Sequence, residues 1–532
     1  MANRTEVGGL DWSGNRLLPA FQTPEHLDVY DIRSASHEVQ LSVTTMAGLI
    51  NRPKPQVYLL SGDDDDFWLT ELLASLPKDI HPDSGDSLLQ SLLNSYRGSI
   101  QGIVIYDPTF TDSINIATIL AGQQEGFLVT PGQAQGLQAM FQLPVLADLS
   151  TQHWSNRLQA YRWAQQLLNN CSGRLVAGLN PETATGLRSF LVATRTFVYY
   201  LDSRDFLPDL ANNFKSERCV MREILNTFSA GTVHLGWFID EPSGVGLTSK
   251  AAIPVLATDL ATNLEVWTGI QASLPSKSSP VQSSPGGSSQ VYVSFTISDG
   301  DNLQYNQHHL LRLWRDPARG SVPIGWTISP ALIQAAPALA AYYMRTATPD
   351  DEFIAGPSGA GYMFPSRWPA EHLPDFLQRT GELLKAMNLS LLEVLDSGLL
   401  QSSGIPLISL IGGSRMALTD QALQERFVQA LSPFGLDGIF SGAGSSTPGW
   451  SLLNNTVPVY QNLGLAGSVS GAIELIKNAA SANQQRPLFL NVYLLAWNMG
   501  PSDVKQVVQQ LGSDYQVVTP GALLALLAQA KS

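Results

Sequence analysis

A chain of 532 residues, 44% of them hydrophobic, exceeds one ordinary core and predicts two domains, or three. A formal charge of -14 with no basic run argues against a nucleic-acid partner, which needs dense Lys and Arg, and favours neutral substrates. Cys171 and Cys219 are the only cysteines and form no CxxC pair, which argues against a thiolate zinc site and a disulfide framework while leaving room for one disulfide.

The first residues, MANRTEVGGLDWSGNRLLPAF, lack the basic start and apolar stretch of a secretory signal, and no later run approaches the roughly 18 to 20 apolar residues of a membrane helix. The reading is a soluble chain without a membrane span. Its compartment stays open, since a removed signal would make it secreted or periplasmic; oligomeric state is not legible.

Residues 1–272 read as an α/β domain. Apolar strand candidates such as PQVYLL (55–60) and GIVIYD (102–107) alternate with helical patterns such as WLTELLASL and RWAQQLLNN. TVHLGWFIDEPSG (232–244) ends a strand pattern on Asp240 and Glu241, and LATDLATNLEVWTGI (256–270) adds polar groups in an apolar context. Residues 273–290, SLPSKSSPVQSSPGGSSQ, are a Ser/Pro/Gly-rich linker or surface loop.

Residues 291–532 repeat a regular rhythm. Strand candidates VYVSFTIS, PIGWTIS, DEFIAGP, SLLEVLDS, IPLISLIG, DGIFSGA and PLFLNVYLL are mostly separated by helical stretches, including WPAEHLPDFLQRTGELLKAM and PSDVKQVVQQLG. Seven or eight β/α units predict a (β/α) barrel-like domain, TIM-like or distorted seven-stranded, with its site at the strand C-terminal ends. An open doubly wound sheet shares the pattern but fits the unit count less well.

The first of these strands ends in SDGDN, so Asp299 and Asp301 leave a buried strand on a glycine turn beside Asn302. Two close carboxylates can split their pKa values or hold a hard divalent cation, and Asp-Gly-Asp-Asn is equally ordinary turn and N-cap chemistry. Glu393 and Asp396 sit on SLLEVLDSG; strand alternation sends them to opposite faces, which favours Asp396 at the strand end for the pocket unless Glu393 points inward. His308 and His309 are adjacent and lack zinc-ligand spacing; no metal site, cofactor or nucleophile elbow is read. Trp326, Asn491, Tyr493 and Trp497 lie in or just after strand candidates; each alone suggests core packing, together with carboxylates a sugar-binding cleft.

GPSGAGYMFPSRWP (356–369) concentrates three glycines, three prolines, three aromatics and Arg367 after an apolar strand candidate. Its interrupting prolines rule out a phosphate loop, whereas Tyr362, Phe364 and Trp368 suit the apolar faces of sugars. Within it GAGYMFP resembles the signature of the GxGYxYP "putative glycoside hydrolase" family, with Phe364 where the motif has its second tyrosine. FTISDGDN, MAGLINRPKPQVYLL (46–60), YDPTFTDSINIAT (106–118) and HLGWFIDE resemble further family segments. The resemblance assigns Gly359, Gly361, Tyr362 and Pro365 to the motif, implies a carbohydrate substrate, and brings no catalytic assignment.

The expectation is a glycoside hydrolase or related carbohydrate-active hydrolase. Asp299 or Asp301 would pair with Asp396 or Glu393 in catalysis, and Asn302, Tyr362, Arg367, Trp368, Trp326, Asn491, Tyr493 and Trp497 would bind sugar. The alternatives are a carbohydrate-binding protein without catalysis and a metal-dependent, deacetylase-like hydrolase with a divalent cation at Asp299 and Asp301.

Overall fold

The computed structural model describes residues 7–85, 87–205, 216–275, 289–396, 416–445, 447–454 and 456–530. By internal packing the chain divides into two units, Met1–Ala272 with Gln334–Ala338, and Ser273–Ile333 with Leu339–Ser532.

The first unit holds three small parallel sheets, Rossmann-like in construction. One sheet has β1 (Leu27–Asp31) between β2 (Val57–Leu60) and β3 (Lys78–His81). A second has β4 (Gly102–Ile105) between β5 (Gly126–Val129) and β6 (Val145–Asp148). In the third, β7 (Leu175–Gly178), β8 (Phe197–Tyr199), β9 (Val233–Gly236) and β10 (Val255–Leu256) follow the order β10-β9-β7-β8. Runs such as VYLL and GIVI are buried at every position because parallel sheets are covered on both faces, which removes the alternation of a half-exposed strand. Asp240, after β9, caps the helix Glu241–Lys250 by accepting from the Ser243 N–H at 3.1 Å.

The second unit is a closed barrel of seven parallel strands. β11 (Val291–Ile297), β12 (Ile324–Ile328), β13 (Asp351–Ala355), β14 (Leu391–Val394), β15 (Gly438–Ser445), β17 (Val457–Ala466) and β18 (Leu488–Leu494) form a ring closed by β18 against β11, with β16 (Gly449–Leu453) paired antiparallel to β17 and β19 (Tyr515–Val517) added outside β11. The ring is distorted: β13 and β14 pair through Ala355 and Leu392, and the register shifts where β17 meets both neighbours. β17 escapes a search for apolar runs because Pro458, Gln461, Asn462 and Gly464 interrupt it. The strand candidate IPLISLIG (405–412) lies outside the described residues.

The barrel is closed below. The helix Pro520–Gln529 sets Leu523, Leu524 and Leu527 among Tyr292, Leu391, Phe440, Tyr460 and Phe489, and its Gly521 N–H donates to Glu352 at 2.5 Å, at the start of β13. Above that apolar plug the interior turns polar. Asn491 Oδ1 accepts from Ser294 at 2.6 Å and Thr296 at 3.1 Å, while its amide donates to Asn462 at 2.7 Å. A plugged lower end leaves the C-terminal rim as the face where a site can open.

Candidate active site

The turn after β11 is buttoned to its neighbours. Gly300 N–H donates to Thr327 Oγ1 at 2.9 Å, and a Cβ at Gly300 would stand 2.0 Å from the Thr327 carbonyl carbon, so this close approach requires glycine. Asp299 adopts φ +71°, a left-handed conformation that Asp tolerates better than most residues. Asn302 caps the helix Leu303–Gln307 by accepting from Tyr305 N–H at 2.9 Å, the ordinary role of that residue type.

The Asp299 carboxylate is held through both oxygens. Ser298 Oγ donates to Oδ2, and the Trp497 indole N–H donates to Oδ1 at 3.0 Å. Ser298 Oγ in turn accepts from Ala496 N–H at 3.1 Å, which ties the β11 turn to the end of β18. Trp497 stacks on His309 at 4.6 Å between centroids, and His309 Nε2 donates to the Ala496 carbonyl at 2.9 Å.

Glu393 lies on β14, three places around the ring from β18, yet its carboxyl interacts with Tyr493 of β18; the side chain therefore crosses the barrel interior. It is fully buried, and neither oxygen makes a hydrogen bond of regular geometry. Burial pushes its pKa up to about 8; the neighbouring Tyr493 hydroxyl pulls it back, and the Asp299 charge raises it further. Tyr493 is itself pushed well above the usual phenol range by burial and then by Glu393, with Asp299 and Asp301 adding to the effect. Glu393, Tyr493, Asp299 and Asp301 thus form one electrostatic group just inside the C-terminal rim.

Asp396 belongs to a neighbouring arrangement. Its Oδ1 accepts from the Ser366 hydroxyl at 2.6 Å and the Ser366 N–H at 3.2 Å, and its charge offsets the desolvation of Arg367. It is therefore a fastening point for the glycine- and proline-rich loop. That loop is folded on itself: Gly359 and Gly361 take φ of +115° and +113°, the Ala360 N–H donates to Thr380 Oγ1 at 3.0 Å, and Ser358 Oγ donates to the Met363 carbonyl at 3.0 Å. Pro365 opens a short turn of helix through Arg367.

The aromatics separate by exposure. Tyr362, Phe364 and Trp368 are buried, with Tyr362 edge-on to Phe364 and Trp368 against Phe376, whereas Trp497 is 50% exposed. Trp326 faces the outside of the barrel wall, where its indole N–H donates to Asp351 at 2.8 Å and its ring meets Trp314. Asn491 is consumed by the interior network. Of the sugar-binding expectations, Trp497 and Tyr493 join Asp299 and Glu393, Arg367 lies beside Asp396, and Trp326 and Asn491 make their hydrogen bonds elsewhere.

Among the described residues, one set of at least three His, Cys, Asp or Glu donors lies close enough to share an ion: His26, Asp28 and Asp79 of the first unit. Asp28 already accepts from Tyr96 and bonds His81 at 2.9 Å. Asp299 and Asp301 have no such third donor among the described residues. Sequence reasoning allows one of His308 and His309 to reach the site from a helix after Asn302 but does not foresee the Trp497–Asp299 bond; it reads Asp396 as the pocket carboxylate unless Glu393 points inward, and the structure turns Glu393 inward.

Models of one family match along the chain: the "GxGYxYP_N 1st domain" over residues 26–97, the "GxGYxYP_N second domain" over 100–172, the "GxGYxYP third domain" over 173–269, and the "GxGYxYP putative glycoside hydrolase C-terminal domain" over 289–528. A solved structure described as a "putative hydrolase" from Bacteroides thetaiotaomicron VPI-5482 is 22% identical, superposes with a TM-score of 0.77, and covers 98% of this chain and 99% of its own; it shows the shared fold. A "putative polysaccharide deacetylase" from Mycobacterium smegmatis, 12% identical over 49% of this chain and 95% of its own, has a TM-score of 0.32 and bears on nothing here. No curated protein matches. Among the described residues no helix is long and apolar enough to cross a membrane.

Proposed function

The chain belongs to the GxGYxYP family, and from that membership we propose that it is a hydrolase of glycosidic bonds, acting on carbohydrate at the C-terminal rim of its seven-stranded barrel. The observation that carries the reading is the pairing of Glu393, fully buried on β14, with Asp299 held through both carboxylate oxygens at the end of β11. Two carboxyl groups in contrasting environments are what glycoside hydrolysis requires.

Glu393, kept protonated by burial, would give its proton to the glycosidic oxygen as the C–O bond breaks, once a bound sugar draws its carboxyl, both oxygens of which are enclosed here, out to the rim. Asp299 faces the positive charge that develops on the sugar, and water supplies the new hydroxyl, its proton returning to the acid–base pair. Asp301 adds negative potential beside Asp299, and Asp396 with Ser366 keeps the signature loop in place. The separation of the two carboxyls in a ligand complex, about 5 Å for retention or about 6.5 to 9.5 Å for inversion, would decide whether Asp299 attacks directly or activates water.

The test is a glycan-library screen with the unaltered chain, Glu393→Gln, and the Asp299→Asn, Asp301→Asn double variant. Turnover that falls at least 100-fold in both is expected. Turnover unchanged in the double variant would sink the site assignment, and binding without turnover in the unaltered chain would favour a carbohydrate-binding protein.

A further inference from the structure

Trp497 combines three properties. Its ring is half exposed beside a carboxylate, its opposite face is supported by the His309 ring at 4.6 Å and a 28° tilt, and its N–H is spent on Asp299 at 3.0 Å. The support is rigid, because His309 is tied to the Ala496 carbonyl and Tyr305 meets Trp497 edge-on at 5.9 Å. An indole backed on one side and open on the other presents a flat apolar surface of about one sugar ring. A ligand lying on it would bear on the group that orients Asp299.

Asp299, which Trp497 holds, and Asp301 both place negative potential on Tyr493 at this rim. A carboxylated sugar docking here would meet like charge, which selects against it.

We infer that Trp497 is the substrate platform and the positioning residue for Asp299, and that the ring it receives is a neutral pyranose presenting an apolar C–H face. The inference rests on the proposed glycosidase reading and deepens it. Stacking would draw on the exposed face of the indole, while the N–H on its edge fixes the Asp299 carboxylate, so binding and turnover depend on separable parts of one side chain.

Two variants separate the parts. Trp497→Phe keeps a flat apolar ring and loses the N–H; the expected result on neutral disaccharides is KM within about twofold and kcat lower by about 10- to 100-fold, the worth of one hydrogen bond to a charged group. Trp497→Ala loses both, and KM should rise about tenfold further. Neutral gluco-, galacto- or manno-configured disaccharides should outperform the matching uronic-acid disaccharides. Equal kinetics for the Phe and Ala variants, or a preference for uronates, would overturn the inference while leaving the glycosidase reading intact. If no glycan is turned over, the glycosidase reading fails, and calorimetric titration of the same neutral disaccharides decides the platform alone: binding lost in Trp497→Ala and kept in Trp497→Phe supports it, whereas unchanged binding or none overturns it.

Discussion

A Cβ on Gly356 would stand 2.4 Å from the backbone nitrogen of Asp301, so the first residue of the signature loop and the acidic turn after β11 are in direct backbone contact. The two most conspicuous motifs of the C-terminal unit are thereby one structural object. The loop supplies no carboxylate, but the position of Asp299 and Asp301 depends on it.

Gly356→Ala should therefore displace the Gly300–Asp301 backbone while the apolar barrel core remains intact. The expected outcome is a folded protein whose turnover falls by about 100-fold, the cost of an ångström-scale misplacement of reacting groups. Circular dichroism establishes folding and steady-state kinetics the loss; normal turnover would show that the contact is relieved elsewhere.

Glu393 links stability to pH with a definite sign. Its folded pKa of about 8 lies above its ordinary 4.5, so the native state holds a proton that the unfolded state releases between those values. The contribution is fully present below about pH 4.5 and is lost as pH rises toward 8. Urea unfolding at pH 5 and pH 8.5 should show a decline on the order of a few kcal/mol in the unaltered chain that is smaller in Glu393→Gln. The same protonation predicts an activity loss above about pH 8. A pH profile of stability identical in both proteins would remove Glu393 as the titrating group.

Asn491 and Trp326 both carry the sequence expectation of sugar contact, and both are spent on internal hydrogen bonds. Asn491→Ala leaves two hydroxyls and the Asn462 side-chain oxygen without their partner and should cost about 3 kcal/mol; Trp326→Phe frees Asp351 of one donor and should cost about 1 kcal/mol. Neither should move KM once the protein is folded. Denaturant midpoints and KM measured side by side check this, and a raised KM at unchanged stability would return either residue to the binding site.

Local composition made part of this protein legible. Several parallel strands announce themselves as short apolar runs because they are covered on two faces, as in VYLL and GIVI. The glycine and proline spacing of residues 356–369 marks a loop with fixed geometry, and the matching residues Gly359, Gly361, Tyr362 and Pro365 carry the family. β17 was hidden because its Asn462 bonds across the barrel interior to Asn491, so the features that make it a good barrel strand disguise it as a loop.

By itself, then, the sequence determined the α/β class, the barrel-like second unit, the acidic turn and the family, all of which are written in residues adjacent along the chain. Only the tertiary structure decided that Glu393 crosses the interior toward Tyr493, that Trp497 holds Asp299, that Asp396 fastens the loop and that the loop's aromatics are buried. The first three are relations between strands or loops separated by 30 to 198 positions, and ring closure, which brings β18 beside β11, has no local signature. Residue type states what a side chain can do; the barrel decides which side chains meet.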